Sequence, residues 1–175
     1  KGAWDAPYIT IIHSVVRNLF GLKRNKFCTP RLQTLLVTTT MKITQLELHN
    51  FRGIQNLTLS FDEPLTVIIG ANGAGKSTIL EALAILLSWM VARIRHAGAS
   101  GRGLQELDIY NEAPFAVIKA IAKGGPTWQL VKVRKGVPKP NDNSELQAIS
   151  SYAKTLQEQL ASSQKNCSIP LFAYY

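Results

Sequence analysis

One stretch near the middle of the chain, TVIIGANGAGKST from Thr66 to Thr78, restricts the possible folds more than any other. A short apolar run is followed by a glycine-rich turn, and then by a lysine and two hydroxyl residues that begin a helical pattern. The spacing fits the motif G-x-x-x-x-G-K-[ST], whose fixed positions are Gly70, Gly75, Lys76 and Ser77. The stretch therefore predicts a buried strand, a phosphate loop and a helix in succession.

Each residue type in this loop has a role if the ligand is a nucleoside triphosphate. Glycines let backbone N–H groups wrap the phosphates, and the following helix adds its positive dipole end and unpaired amides. Lys76 can reach the outer phosphates as the catalytic cation, and the Ser77 hydroxyl can ligate Mg²⁺. The predicted cofactors are ATP and Mg²⁺. The predicted binding residues are Gly70, Ala71, Asn72, Gly73, Ala74, Gly75, Lys76, Ser77 and Thr78.

Length and composition favour one well-buried domain, because the chain has 175 residues of which 46% are hydrophobic. Its longest uncharged apolar run, Ala82 to Ala92, is about half of what a bilayer span needs. Cys28 and Cys167 lie far apart and in no metal-ligand spacing, which is typical of thiols in a reducing compartment. We therefore expect a cytoplasmic protein without a membrane segment.

The formal net charge of +9 is unevenly distributed. Residues 1–40 contain six Lys or Arg and one acid, Asp5, whereas residues 41–175 contain fourteen and ten. The motif-bearing part is thus only mildly basic, which permits a phosphate-rich partner without requiring one. Basic residues near the end of the first helix (Arg93, Arg95, His96) and after a later strand (Lys132, Arg134, Lys135, Lys139) have two explanations, a nucleic-acid contact or ordinary helix-end and strand-edge charges.

Residues 1–40 differ from the rest of the chain, and we expect a leader that is disordered or non-native upstream sequence. The segment has neither strand alternation nor a capped helix, and Met41 resembles a natural start. Ile11 to Leu22 offers the alternative of a short basic amphipathic helix, such as a transit peptide or a nucleic-acid arm. Residues 41–175 are predicted to form the domain proper.

From Met41 the apolar pattern predicts two hairpins around the loop. The first has strands ending at His49-Asn50 and at Phe61, with a turn at Arg52-Gly53, and Leu65 to Ile69 follows as a strand buried on both faces of a parallel sheet. The second hairpin joins Ala116–Ala122 to Trp128–Val133.

Two helices complete the prediction. The first runs from Lys76 to about Ala97, and its expected apolar stripe is Leu80, Leu83, Leu87, Met90, Val91 and Ile94, widened by Ile79 and Leu86. The second is opened by a capping box of Ser144 and Gln147 and runs to about Ala161, with Leu146, Ile149, Ala153, Leu156 and Leu160 on its apolar face. Ile169 to Tyr174 is predicted to begin a further buried strand.

The stretch from Met41 to Leu83 resembles the N-terminal lobe of ABC-type ATPases related to SMC, SbcC, RecF and the overcoming-lysogenization-defect nucleases. The resemblance depends on Asn50-Phe51-Arg52 at the end of the first strand, on the acidic turn, and on the loop followed by Ile-Leu-Glu-Ala. The later segments from Trp128 and from Ile169 are similar to the ATPase subunit of Septu-type and retron-associated anti-phage systems. The predicted fold class is accordingly α/β, a P-loop NTPase, as a partial ABC-type ATPase head with hairpins flanking the loop.

The resemblance implies a homodimer of heads that sandwiches two nucleotides and closes over DNA, in DNA double-strand-break repair or anti-phage defence, with a possible nuclease partner. It also implies that Arg52 lies near the phosphates, although a plain surface arginine in a turn is the alternative. The Walker B acids, the signature motif and the Q-loop have no counterpart here, since Asp108 and Glu112 lie in a polar region and do not follow an apolar strand. We therefore expect a truncated head in which hydrolysis belongs to the complete protein.

Two other functions stay open at this level. One is the ATPase subunit of an ABC transporter, which is disfavoured because such subunits place an aromatic stacking residue in their first strands where this chain has Asn50-Phe51-Arg52-Gly53. The other is a non-catalytic nucleotide-binding fragment.

Overall fold

The computed structural model describes residues 10–12, 41–63, 65–138 and 140–162. Its strands are β1 (Thr10–Ile12), β2 (Lys42–Phe51), β3 (Ile54–Ser60), β4 (Val67–Ile69), β5 (Phe115–Lys123) and β6 (Thr127–Val133). Its helices are α1 (Lys76–Arg95) and α2 (Gln147–Ala161), with a single 3-10 turn at Glu106–Asp108. The segment predicted as a strand from Ile169 to Tyr174, and most of the leader, lie outside the described residues.

Four strands form an antiparallel sheet in the order β3-β2-β5-β6. The predicted turn at Arg52-Gly53 joins β2 to β3, with Phe51 opposite Ile54, and the second predicted hairpin pairs Phe115 with Val133 and Ile121 with Thr127. Both hairpins are therefore confirmed. In the pairing of β2 with β5 the register shifts between Ile43 and Gln45, so β2 has a bulge near its start.

Alternate residues of the sheet supply the apolar core. Leu46 and Leu48 of β2, with Ile118 and Ala120 of β5, have almost no exposed surface, whereas the intervening side chains face outward. Trp128 of β6 is fully buried, and its indole Nε1 donates a hydrogen bond to the Leu86 carbonyl of α1 at 3.1 Å. The sheet and α1 are thus held together by apolar packing and by one buried polar contact.

The predicted apolar stripe of α1 is partly correct, because Ile79, Leu86 and Met90 are buried as expected. Leu80 and Val91, which were expected in the core, are 47% and 39% exposed. The physical reason is that α1 is apolar on most of its circumference, so its periodicity does not select the side that the sheet covers. Its buried residues are Ile79, Ala82, Ile85, Leu86 and Met90.

By length and composition alone, α1 is also long and apolar enough to cross a membrane. The core helix of a soluble domain has the same properties. Here one side of α1 packs against the four-stranded sheet and α2.

Helix α2 begins two residues later than the predicted N-cap Ser144 implies, and it has no capping box. Its N-cap residue is Leu146 and no side chain caps it, because the Ser144 hydroxyl instead accepts from the Val131 amide at 2.9 Å. The prediction that Leu160 lies in the core is also wrong, since this residue is 46% exposed. The side chain of Gln157 donates to the carbonyl of Ile94 at 2.9 Å, so α2 satisfies part of the C-terminal end of α1.

Strand β4 does not have the predicted parallel, doubly buried environment. It pairs with β1 in a separate antiparallel two-stranded sheet, with Val67 opposite Ile12, and the side chains of Val67 and Ile69 are exposed. An apolar run indicates that a strand is favoured in a buried position, but it does not determine which strands pair with it. The backbone of Ile11 and Ile12 is in β1, so the alternative helix from Ile11 does not begin there.

The segment after α1 turns back along the helix at a close approach of the two backbones. A Cβ atom added to Gly101 would lie 2.6 Å from the Ser88 carbonyl carbon and from Trp89 Cα. Two hydrogen bonds of 2.8 Å fix the approach, one from the Arg102 amide to the Ser88 hydroxyl and one from Trp89 Nε1 to the Arg102 carbonyl. This packing directs the chain back toward the β2–β3 turn.

We expect Gly101→Ala to lower the free energy of unfolding by about 1–3 kcal/mol, because its methyl group meets backbone atoms that cannot rotate away. Gly103→Ala is the matched control, since nothing lies within 4 Å of the added methyl group. Urea denaturation of both variants measures the difference. Equal stabilities would show that the close approach does not exist in solution.

Candidate functional site: the loop before the first helix

The predicted phosphate loop connects the end of β4 to the start of α1. Gly73 and Gly75 have φ values of 82° and 90°, in the left-handed region that disfavours residues with a Cβ atom. Gly75 is the N-cap of α1, where no side chain caps the helix, and the first turn of α1 contains no acid. The first amides of α1 and its positive dipole end are therefore available to an anion.

Lys76 and Ser77 are the first two residues of α1, directly after the loop. The Lys76 ammonium donates to the carbonyls of Gly70 at 2.8 Å and of Ala71 at 2.7 Å, so it lies across the loop. Within the loop Ala74 is buried, and the side chain of Ser77 is exposed at the second position of α1. The loop is thus anchored by one methyl group and presents its polar groups outward.

The residues fit Mg²⁺ held mainly by a nucleotide. Magnesium in nucleotide sites takes few protein ligands and completes its shell with phosphate oxygens and water. In the described part of the chain, no group of three His, Cys, Asp or Glu residues is arranged to hold a metal ion. The Ser77 hydroxyl is exposed and could supply one protein oxygen to such an ion.

Arg52 lies in the β2–β3 turn, and its side chain is partly exposed. Its backbone is left-handed, with φ of 50°, although arginine pays a steric cost for that conformation. The neighbouring residue Ile54 packs on Gly75, with its Cδ1 atom 3.6 Å from where a Cβ atom would lie. The β2–β3 turn therefore contacts the junction of the loop and α1.

Two carboxylates hold the Arg52 guanidinium. Its Nε donates to Asp108 Oδ1 at 2.7 Å, and its Nη2 lies 3.7 Å from Glu81 Oε1. Asp108 is 6% exposed and is the only buried charged residue in the described part of the chain. Glu81 also makes an ion pair with Arg102. Two arginines and two carboxylates thus form a cluster that links the β2–β3 turn, α1 and the segment after α1.

The sequence did not single out Asp108 or Glu81 as site residues. Asp108 was considered only as a possible Walker B acid and set aside, and its pairing with Arg52 has no local sequence signal because 56 positions separate them. Glu81 follows the loop in Ile-Leu-Glu-Ala, and only its position on α1 relative to the turn reveals the contact.

The two groups of basic residues, at the end of α1 and after β6, include side chains that contact other parts of the domain. Arg93 lies over the Trp89 ring at 5.9 Å, whereas Arg95 and His96 are exposed at the end of α1. Arg134 donates through Nε to the Ala113 carbonyl at 3.2 Å, next to the edge strand β6. Lys139 lies outside the described residues. These contacts favour the explanation that the charges belong to a helix end and a strand edge. They do not test whether the same residues contact DNA.

Comparison with known proteins shows what the part of the chain around this site is similar to. Residues 41–97 match the family model of an AAA ATPase domain. This range contains the first hairpin, β4, the predicted phosphate loop and all of α1. The match confirms the predicted P-loop ATPase fold class.

Three relatives extend the resemblance. The chain is 32% identical over 116 residues to the DNA replication and repair protein RecF of Acholeplasma laidlawii, covering 66% of this chain and 30% of that protein. It is 26% identical over 142 residues to the retron Vc95 probable ATPase of Vibrio cholerae, covering 77% and 27%. It is 38% identical over 71 residues to the DNA repair protein RecN of Bacillus subtilis, covering 41% and 10%.

These similarities confirm the resemblance to SMC- and RecF-like ATPase heads and to a retron-associated ATPase. The chain spans less than a third of the length of each of these three relatives. The sequence is therefore related to DNA repair ATPases through one part of their heads.

We expect Gly73→Ala to lower the free energy of unfolding by about 1–2 kcal/mol, because alanine pays a steric cost in the left-handed region. Nothing lies within 4 Å of the added methyl group, so the backbone is the sole source of strain. Gly53→Ala is the control, with equal space and no positive φ. Urea denaturation compares the two, and an unchanged Gly73→Ala variant would contradict the loop conformation.

Proposed function

We propose that this chain binds ATP with Mg²⁺ at Gly70–Thr78, because residues 41–97 match an AAA ATPase domain model and the chain is similar to a RecF protein. One observation carries the proposal: an uncapped helix N-terminus follows two left-handed glycines, and a lysine lies across the same loop. This combination suits a chain of phosphates, because amides, dipole and ammonium converge on one place.

Each residue type then has one role. The backbone of Gly70, Ala71, Asn72, Gly73, Ala74, Gly75 and Thr78 holds the phosphates, and Ser77 is the magnesium ligand. When ATP binds, the Lys76 ammonium exchanges its two carbonyl partners for phosphate oxygens and stabilises charge on the outer phosphate as the catalytic cation. Mg²⁺ neutralises the phosphates when it is bound.

Hydrolysis requires a carboxylate or equivalent group that positions water, and our proposal for the described residues is limited to nucleotide binding. Of the acids near the loop, Asp108 is engaged by Arg52 and Glu81 is paired with Arg52 and Arg102. Neither carboxylate is therefore disposed to orient water. A nucleotide-binding fragment without turnover is the second candidate that these ion pairs favour.

At the level of the cell we propose an SMC- and RecF-like head that dimerises on ATP in the cytoplasm and acts on DNA, in double-strand-break repair or in anti-phage defence with a nuclease partner. The RecF and RecN relatives support repair, and the retron relative supports the second alternative. None of the relatives described above supports an ABC transporter subunit. Double-stranded DNA that increases ATP binding by residues 41–175 would favour the DNA-associated classes over transport.

We expect Lys76→Ala to weaken Mg²⁺–ATP binding by about tenfold or more, because hydrogen bonds to a charged group contribute about 1.5–3 kcal/mol. Lys154→Ala is the matched control, since Lys154 is exposed on α2 and pairs only with Glu158 among the described residues. Isothermal titration of the full chain with ATP measures both variants. A wild-type chain that does not bind ATP, or a Lys76→Ala variant that binds equally well, would refute the proposed function.

A further inference from the structure

We infer that Asp108 and Glu81 are positioning residues that prepare Arg52 for the phosphates of the bound nucleotide. Asp108 is the fixed anchor of the guanidinium, and Glu81 is the acceptor that Arg52 gives up when nucleotide binds. This inference rests on the proposed ATP site. It assigns roles to two carboxylates that the phosphate-loop motif does not contain.

Asp108 has the contacts of an anchor. Its Oδ1 accepts from Arg52 Nε at 2.7 Å, its Oδ2 accepts from the Gln105 amide at 2.9 Å, and its backbone carbonyl accepts from the Arg52 amide at 2.7 Å. This buried carboxylate accepts two hydrogen bonds, and it cannot leave the arginine without losing charge compensation. The inner nitrogen of the guanidinium is therefore fixed.

The outer end of the same guanidinium is held much more loosely. Its Nη2 approaches Glu81 only to 3.7 Å, which exceeds hydrogen-bonding distance, and 38% of the Arg52 side chain is exposed. Among the described residues, the terminal nitrogens of Arg52 make no hydrogen bond to a better acceptor. They can therefore donate to an anion while Nε remains on Asp108.

Glu81 can release Arg52 at little cost. Its Oε1 is also paired with Arg102, so its negative charge remains compensated when Arg52 turns toward a phosphate. Glu81 lies on the second turn of α1, about 7.5 Å along the helix axis from Lys76. The acceptor that Arg52 leaves is thus close to the loop in which the phosphates would lie.

The backbone of Arg52 supports a functional placement. Asn50 and Arg52 both have positive φ, at 49° and 50°, and the turn between them and β3 packs on Gly75 through Ile54. A left-handed arginine persists only where surrounding contacts impose it. The contacts to Asp108 supply that constraint, and they direct the side chain toward α1.

The test is a double-mutant cycle on ATP affinity in the full chain. We expect Asp108→Asn to weaken Mg²⁺–ATP binding by about five- to twentyfold, as for loss of a charge-assisted hydrogen bond. In an Arg52→Ala background the same change should have no further effect. A merely structural Asp108 would instead weaken binding equally in both backgrounds, and that additive result would overturn the inference.

Glu81→Gln provides a second test, in which the affinity for ATP should rise instead of fall. Removing the competing carboxylate should strengthen ATP binding about two- to fivefold, the range of a weak ion pair, and only while Arg52 is present. This arm decides the question if Asp108→Asn does not fold. An unchanged or weakened affinity, or a gain that survives Arg52→Ala, would refute the role of Glu81.

Glu106→Gln is the matched control, because Glu106 belongs to the same 3-10 turn as Asp108 and does not contact Arg52. Its ATP affinity should equal that of the wild-type chain. If the wild-type chain and this control bind ATP, and Lys76→Ala does not, the proposed function stands. The double-mutant cycle and the Glu81→Gln variant then test only the roles of Asp108 and Glu81.

Discussion

The packing of α1 against the antiparallel sheet is the interaction on which the rest of this structure depends. Five side chains of α1 are buried, and each large one contributes about 1.5–3 kcal/mol relative to an exposed position. Their sum is comparable with the whole net stability of a typical domain, about 5–15 kcal/mol. The absence of a side-chain cap at Gly75, which costs about a few tenths of a kcal/mol when the N-cap is glycine, is therefore tolerated. Because buried side chains stabilise α1, its first turn does not need a side-chain cap, and its amides remain available to a ligand.

Those features that depend on neighbouring residues were predictable from the sequence. Alternation along β2 and β3 specified a hairpin and its turn at Arg52-Gly53, and the second hairpin followed from the same pattern. The loop was identified because its glycines and Lys76 are contiguous, and the structure gives Gly73 and Gly75 the backbone that only glycine adopts readily. Local chemistry and local geometry agree at all of these positions.

Features that depend on which other element packs against a residue were not predictable from the sequence. Helix α1 is apolar on most sides, so the sequence could not specify that Ile85 is buried while Leu80 is exposed. Ser144 had the correct spacing for a capping box, but the edge of β6 offered the Val131 amide as a competing donor. The Arg52–Asp108 pair joins residues 56 positions apart, so no motif of short spacing contains it. Tertiary contacts decided each of these cases.

The charge balance around the loop limits what Arg52 can do there. Asp108 and Glu81 match the charges of Arg52 and Arg102, so Lys76 and the helix dipole are left to attract an anion. A buried carboxylate stripped of its arginine would cost several kcal/mol, about 3–5 in comparable pairs, so Arg52 cannot move as a whole toward a phosphate. Only its outer nitrogens can change partners. The cluster therefore favours a small rotation of one guanidinium over a displacement of the turn, and it couples nucleotide contact to the segment that contains Asp108.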